Sequence, residues 1–298
     1  MLADIYMAEA KRDHRTKVSV PDNQKLILRD ELQKLWQGRD VFAEVQSLEG
    51  SVAREVPGRQ TIRFVLGGQA YYRKLHTGVG WGEIFENLVR LRLPIIGARN
   101  EWLALNLLAD IGVPSLVPVA YGEKFSNPAR RLSFVVTREL ANVEELDKYL
   151  LSHRQQEFLS FSEKHLLVAE LARITRAIHN HGINHRDLYL CHFLLDVNSI
   201  ARWQQGQPPV LHLVDLHRAQ IRAKVPARWL IKDLASIYFS AMDLGVTRGD
   251  LARFLQVYFA QPLAQIVKER SALLRQIEQR AVRLYQREQR LKARGLRD

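Results

Sequence analysis

A chain of 298 residues, 47% of them hydrophobic, can bury a substantial core and is long enough for two modest lobes or one large domain. Its formal charge of +12 favours anionic partners such as phosphates, anionic lipid or an acidic protein. No basic run is interleaved with aromatic stacking platforms, so nucleic acid is not expected. The single cysteine, Cys191, excludes an internal disulfide and a multi-cysteine zinc site, and no apolar run approaches the roughly 20 residues of a spanning helix. The stretch MLADIYMAEAKRDHRTK lacks the apolar core of a signal peptide, and the expectation is a cytoplasmic protein, soluble or peripheral.

Residues 1–24 are polar and without a clear period, and read as a loosely ordered extension. SVAREV, a Pro57-Gly58-Arg59 turn, QTIRFVL, a Gly67-Gly68 turn and AYYRKLH predict three antiparallel strands, with Ile62, Phe64 and Leu66 on one face. Next, GWGEIFENLVRLRLPIIGA has an amphipathic part (Ile84, Phe85, Leu88, Leu91) that ends at Pro94. A cleaner helix follows, with Asn100 as N-cap and Glu101 in its first turn, ending near Gly112-Val113-Pro114. VPVAYGEK and LSFVVTREL read as two further strands. Leu166–His181 carries a helical stripe (Leu167, Leu171, Ile174, Ile178), succeeded by the loop INHRDLYLCHFLLD and a short strand, VLHLVDLH. Helices are expected over Lys232–Leu244 and Leu251–Phe259, and Val267–Arg297 reads as one basic helical stretch. A β-rich part therefore precedes a largely helical one.

Chemistry concentrates in His185-Arg186-Asp187 and in Asp215, 28 residues beyond Asp187. Phosphoryl transfer asks one carboxylate to orient the attacking hydroxyl and accept its proton, and another to hold a metal against the phosphates. Asp187 suits the first task and Asp215 the second. A three-residue match is weak alone. Followed by a strand ending in Asp, in the helical half of such a chain, it is strong.

These residues, with LWQGRD, YYRKLHTGVGWGEIFENL, LPIIGARNEW, INHRDLYLCHFLL, VDLHRAQIRAKVP and KDLASIYFSAMDLGVTRGD, resemble the protein-kinase-like superfamily, and more closely the bacterial lipopolysaccharide core heptose kinases. The resemblance runs from about Leu35 to the C-terminus. It implies an α+β, protein-kinase-like bilobal fold: a polar extension over 1–24, a small β-rich N-lobe over 25–140 and a larger helical C-lobe over 141–298. It also implies ATP and Mg²⁺ as cofactors, lipopolysaccharide core as acceptor, and a place at the cytoplasmic face of the inner membrane.

Residue by residue, the resemblance matches Lys74 to the lysine on the α- and β-phosphates and Glu101 to its ion-pair partner, with Glu83 and Glu86 as rivals. Catalytic roles fall on Asp187, Arg186 and His185, and the metal on Asp215. His192 replaces the Asn of ordinary protein kinases and is expected near the metal or a phosphate. DLH replaces DFG, so that Leu216 and His217 read as packing changes. Gly58 and Arg59 are candidates for covering the phosphates, with a plain turn as the alternative. The strand end from Thr137 to Leu140 resembles the adenine-binding hinge, where backbone groups would bind, with Glu139 and Leu140 as the candidates.

Asp233 is expected to support the catalytic loop, or simply to cap a helix. Arg218, Arg222, Lys224, Arg228 and Lys232 form a basic segment for an anionic acceptor, or a solvated face. Cys191 reads as a small buried hydrophobe. The tail arginines (Arg275, Arg280, Arg283, Arg287, Arg290, Arg294) suit anionic lipid, an acidic protein partner, or plain packing with a wet face. Other classes compatible with the sequence are a kinase of the same fold with another acceptor, an inactive kinase-like binding module, and a nucleic-acid binder.

Overall fold

The computed structural model describes residues 15–17, 23–78, 97–124, 131–153 and 159–295. Contacts divide the chain into two units. The first takes the described residues up to Leu107 together with Leu116–Leu140; the second takes Leu108–Ser115 and the described residues from Ala141 onward.

In the first unit seven strands form one antiparallel sheet: β1 (Arg15–Lys17), β2 (Gln24–Arg29), β3 (Ser51–Val56), β4 (Arg59–Leu66), β5 (Gln69–His76), β6 (Pro118–Lys124) and β7 (Leu132–Arg138), in the order β1-β2-β6-β7-β5-β4-β3. The three strands of the 51–76 region and the two later ones match the sequence expectation. β1 and β2 do not, and β1 lies within the stretch expected to be loosely ordered. The pairing that makes β2 a strand is non-local: Leu26 faces Gly122 and Leu28 faces Ala120 on β6, and both leucines are buried.

Alternation on β4 and β5 does the positioning. Ile62 and Phe64 enter the core, Phe64 stacks on its cross-strand neighbour Tyr71, and Tyr71, Arg73 and Leu75 are buried on the same side. Gly67 and Gly68 both take positive φ (59° and 79°), as a two-residue hairpin of the strands' twist requires. Buried Arg73 donates from Nη1 to the Val45 carbonyl at 2.6 Å, at the end of the helix Val41–Ser47. A helix C-terminus is a favourable place for a cation. That helix begins at Asp40, whose side chain accepts from the backbone N–H of Phe42 and Ala43. With Arg73 turned one way, the pleat turns Lys74 the other.

The second unit is mostly helical, with two small sheets. β8 (Val143–Glu145), β10 (Phe193–Asp196) and β11 (Leu211–Leu213) form a three-stranded sheet, and β9 (Ile183–Asn184) pairs with β12 (Gln220–Ile221). The helix Phe161–Asn180 starts five residues earlier than the apolar stripe suggests, because Ser160 and Glu163 form a capping box. Helix Arg248–Phe259 starts on a second box, Thr247 with Asp250. Helix Ala227–Ala241 begins well before Lys232, so Asp233 lies beyond its first turn and capping does not explain that residue. Leu234, Ala235, Tyr258, Ile277 and Ala281 share a core with Ala172. The tail forms the helix Leu263–Ala293, kinked at Arg270 (φ −124°), buried at Ile266, Ile277 and Ala281 and exposed at Arg275, Arg283, Arg287 and Arg290. No helix among the described residues is long and apolar enough to cross a membrane. The amphipathic segment expected before Pro94 lies outside the described residues.

Candidate active site

In the first unit Lys74 reaches Glu101 in the opening turn of the helix Arg99–Asp110: Nζ lies 2.6 Å from Oε1. The lysine side chain is 18% exposed and the glutamate 1%. A carboxylate this deep needs its cation, so the pair is a fixed feature and not a solvated contact. The rivals Glu83 and Glu86 lie outside the described residues. Gly58 forms the β3–β4 turn with φ 72°, a conformation glycine adopts without strain, and its carbonyl accepts from the Thr77 N–H. Arg59 opens β4 beside it, half-buried. Glu139 makes two 2.7 Å bonds with Arg63, which hold its carboxyl below the usual range. Its own N–H donates to the Ala70 carbonyl, leaving its carbonyl and the groups of Leu140 as the sequence-expected adenine contacts.

In the second unit the loop from His185 leaves β9 and runs through a short 3₁₀ turn, Leu190–His192, into β10. Its anchor is Asp233, fully buried, whose Oδ2 accepts from the His185 N–H at 2.7 Å and whose Oδ1 accepts from the Arg186 N–H at 2.8 Å. Behind it, His179 lies 3.4 Å from Asp233 Oδ2 and 2.7 Å from the Tyr258 hydroxyl. Arg186 adopts φ 76°, sparsely populated for a non-glycine residue, and the Asp233 bond to its N–H pins that conformation.

Two residues expected to be catalytic take other places. The His185 ring is fully buried, with Nε2 2.9 Å from the Val214 carbonyl, and burial lowers its pKa. A neutral ring donating to that carbonyl ties the loop to the residue before Asp215; it is not set to exchange protons with a substrate. Arg186 lies with its guanidinium 4.9 Å from the Trp229 ring centre, a cation–π arrangement.

Asp187 and Asp215 meet through His192. The His192 Nδ1 is 2.6 Å from the Asp187 carbonyl oxygen, which only an N–H can satisfy. The other ring nitrogen, Nε2, lies 3.5 Å from Asp215 Oδ2. On its other oxygen, Asp215 faces His217 Nδ1 at 2.5 Å. The expectation for DLH is thus half right: Leu216 is buried packing, whereas His217 holds the carboxylate. Asp215 itself is left-handed (φ 61°, ψ 51°). Among the described residues no group of three or more His, Cys, Asp or Glu is poised to enclose a metal. A single carboxylate suits a hard cation that keeps waters and substrate phosphates as its remaining ligands, so Asp215 fits Mg²⁺. The imidazole of His192 is a poor direct ligand for that ion and is better placed to bond one of those waters or a phosphate.

The basic segment does not act as one surface. Arg218 Nη1 contacts both oxygens of Asp187, at 3.1 and 3.0 Å, and Lys232 Nζ lies 3.5 Å from Oδ1. Arg222 is committed to Asn184 Oδ1 (2.5 Å) and Gln220 Oε1 (2.6 Å), bracing β9 against β12. Arg228 lies over Trp229. Sequence reasoning did not find Trp229, Asn184, His179 or Tyr258; each acts through a partner distant in the chain, and only Asn184 sits in a motif, where the neighbouring His185-Arg186-Asp187 carries the stronger chemical signal. Cys191 is only half-buried, and burial pushes its thiol up to about 11, which makes it a poor nucleophile. The same unit holds a cavity of about 350 Å³ lined by apolar side chains including Leu167, Leu171, Leu234, Ile237 and Phe254.

The model of the lipopolysaccharide kinase (Kdo/WaaP) family matches residues 43–258. The lipopolysaccharide core heptose(I) kinase WaaP of Pseudomonas aeruginosa is 44% identical over 266 residues, covering 89% of this chain and 98% of that protein. Its namesake in Escherichia coli K12 is 42% identical over 263 residues, covering 88% and 98%. A solved structure of WaaP in complex with acyl carrier protein is similar at a TM-score of 0.75 and 40% identity, covering 87% of this chain and 99% of that one. The α+β, kinase-like fold expected from the sequence is the fold of these proteins.

Proposed function

Because the chain belongs to the lipopolysaccharide kinase (Kdo/WaaP) family, we propose that it transfers the γ-phosphoryl group of ATP to a hydroxyl of the first heptose of the lipopolysaccharide inner core. One observation carries this reading: His192 brings the Asp187 backbone and the Asp215 carboxylate to the two nitrogens of a single ring. A base and a metal-binding carboxylate brought together in this way are what phosphoryl transfer asks of a protein.

The roles follow from the chemistry of each group. Asp187 orients the acceptor hydroxyl and takes its proton. Asp215 would hold Mg²⁺, with His192 beside it to bond a phosphate or a water of the metal's shell, and the metal when bound supplies positive charge against the phosphates. Lys74, fixed by Glu101, pairs with the α- and β-phosphates, and Gly58 with Arg59 lies on the loop assigned to covering them. The Glu139 carbonyl and the Leu140 backbone are the groups assigned to adenine. Arg186 and His185 position the loop. An amphiphilic acceptor suits a basic enzyme working peripherally at the cytoplasmic face of the inner membrane.

An acidic protein partner is favoured as well, by the arginine-lined face of the tail helix. The similar WaaP structure was solved with acyl carrier protein, and an acyl carrier is the partner we propose. The apolar cavity has the chemistry to receive an acyl chain.

Incubating the protein with ATP, Mg²⁺ and lipopolysaccharide lacking core phosphate, then locating new phosphate on the sugars, tests the activity. Transfer to heptose that disappears in Asp187→Ala supports it. Phosphate on another sugar, or none, refutes it.

A further inference from the structure

Among the described residues the only ion pair of Lys232 is with Asp187. Its side chain is 17% exposed, whereas Arg218, the other cation on the same carboxylate, is 39% exposed. The two are also held differently. Arg218 ends the short 3₁₀ turn Leu216–Arg218 and makes the short contacts to both Asp187 oxygens. Lys232 sits inside the helix Ala227–Ala241, and the next residue, Asp233, bonds the backbone of His185 and Arg186 in the loop that carries Asp187. The helix that carries the ammonium and the loop that carries the base are therefore tied together by two bonds from the Asp233 carboxylate.

At 3.5 Å, Lys232 neighbours Asp187 without being consumed by it. An ammonium has three donors, and one carboxylate oxygen at this distance leaves the others for a further acceptor. The Trp229 ring, 5.9 Å away, walls one side and favours the charged form. Burial lowers the pKa of this lysine, and the charge of Asp187 opposes that shift. A hydroxyl that hydrogen-bonds Asp187 must have the reacting phosphorus next to it, so a cation beside Asp187 lies where negative charge collects during transfer.

We propose that Lys232 is a catalytic residue whose ammonium contacts the phosphoryl group as it is transferred. The inference rests on the kinase reading above and assigns this lysine to the reacting group, apart from the acceptor-binding role given by sequence to the basic segment. In the step, the acceptor O–H bond breaks and its proton passes to Asp187. The new O–P bond forms as the bond from the γ-phosphorus to the bridging oxygen of ADP breaks, and that electron pair leaves with ADP. Lys232 keeps its protons throughout and offsets charge on the non-bridging oxygens.

The test compares Lys232→Met, Lys232→Gln and Lys232→Arg with the wild type in the heptose phosphorylation assay from pH 6 to 9, with melting temperatures measured alongside. A contact to the transferred group predicts that kcat falls about 10²–10³-fold in Met and Gln at every pH, with KM for ATP and acceptor nearly unchanged, and that Arg restores part of it. A preserved kcat with a raised acceptor KM overturns the proposal in favour of an acceptor subsite. A loss confined to the acidic end also overturns it, because Lys232 would then serve only to keep Asp187 ionised. If Met fails to fold, Gln and Arg carry the same comparison. Wild-type protein that phosphorylates no heptose overturns the kinase reading, and this proposal with it.

Discussion

Replacing Asp233 by Asn changes almost no volume and removes one acceptor. In the wild type each carboxylate oxygen takes one backbone N–H, from His185 at 2.7 Å and from Arg186 at 2.8 Å, at a site with no exposure. An amide has a single oxygen, so one of these N–H groups must face an NH₂ in a place water does not reach. A buried donor left without its acceptor costs about 1–3 kcal/mol. For a protein of this size each kcal/mol lowers Tm by roughly 2–4 °C, which gives a fall of about 2–12 °C. Asp233→Ala orphans both N–H groups and should cost about twice as much. Because the loosened backbone at Arg186 directly precedes Asp187, kcat should fall about tenfold or more while KM for ATP stays close to wild type. Thermal melts followed by circular dichroism and steady-state kinetics on the two variants provide the measurement. A Tm within about 1 °C of wild type, with kcat intact, would refute the claim that these two bonds hold the loop.

Lys74→Met strands the buried Glu101 carboxylate, so it should lose activity and also about 3–5 kcal/mol of stability by urea titration; Lys74→Met with Glu101→Leu should regain most of the stability and none of the activity. Burial lowers the pKa of His212 from its ordinary 6.5, so its contribution to stability is complete above that value and is lost as pH falls toward its folded-state pKa. Melting temperatures should therefore drop as the buffer is taken below about pH 6.5, and His212→Gln should flatten part of that slope. With its thiol pushed up to about 11, Cys191 at pH 8 should react with a disulfide reagent on the order of 100-fold more slowly than a free thiol, and at the free rate once the protein is denatured.

The residues proposed for chemical roles were legible where the chemistry needs contiguous sequence. His185-Arg186-Asp187 and the LVDLH strand end could be read directly, and the strand alternation of AYYRKLH separates Lys74 from buried Arg73. What holds those residues was only partly legible: Asp233 read either as a support of the loop or as a helix cap, and the bonds that decide for the support are non-local. The Asp233 bonds span 48 and 47 positions, and the helix that delivers Asp233 begins at Ala227, inside a stretch whose cations read as an acceptor-binding segment or a solvated face. His217 was hidden because a comparison with DFG treats the third position as packing, while the ring here bonds Asp215. Strand β2 was missed because its buried leucines gain their partner only from β6, almost a hundred residues later.

Arg186 and Asp215 have positive φ, a conformation non-glycine residues avoid and which the surroundings must impose. The imposing contacts are polar and part-buried: Asp233 on the Arg186 N–H, the His185 ring on the Val214 carbonyl next to Asp215, and the His192 ring between the Asp187 carbonyl and the Asp215 carboxylate. Polar bonds of this kind add little to net stability when made and cost much when half-broken. The apolar core of the same unit, where Leu234 and Ala235 pack with Ile277 and Ala281, touches this set only through Tyr258 and His179 behind Asp233. Point changes in the polar set should therefore cut kcat about tenfold or more in protein that still melts cooperatively, at a lower Tm. Truncations in the apolar set should lower stability first and lose activity only as the fold is lost.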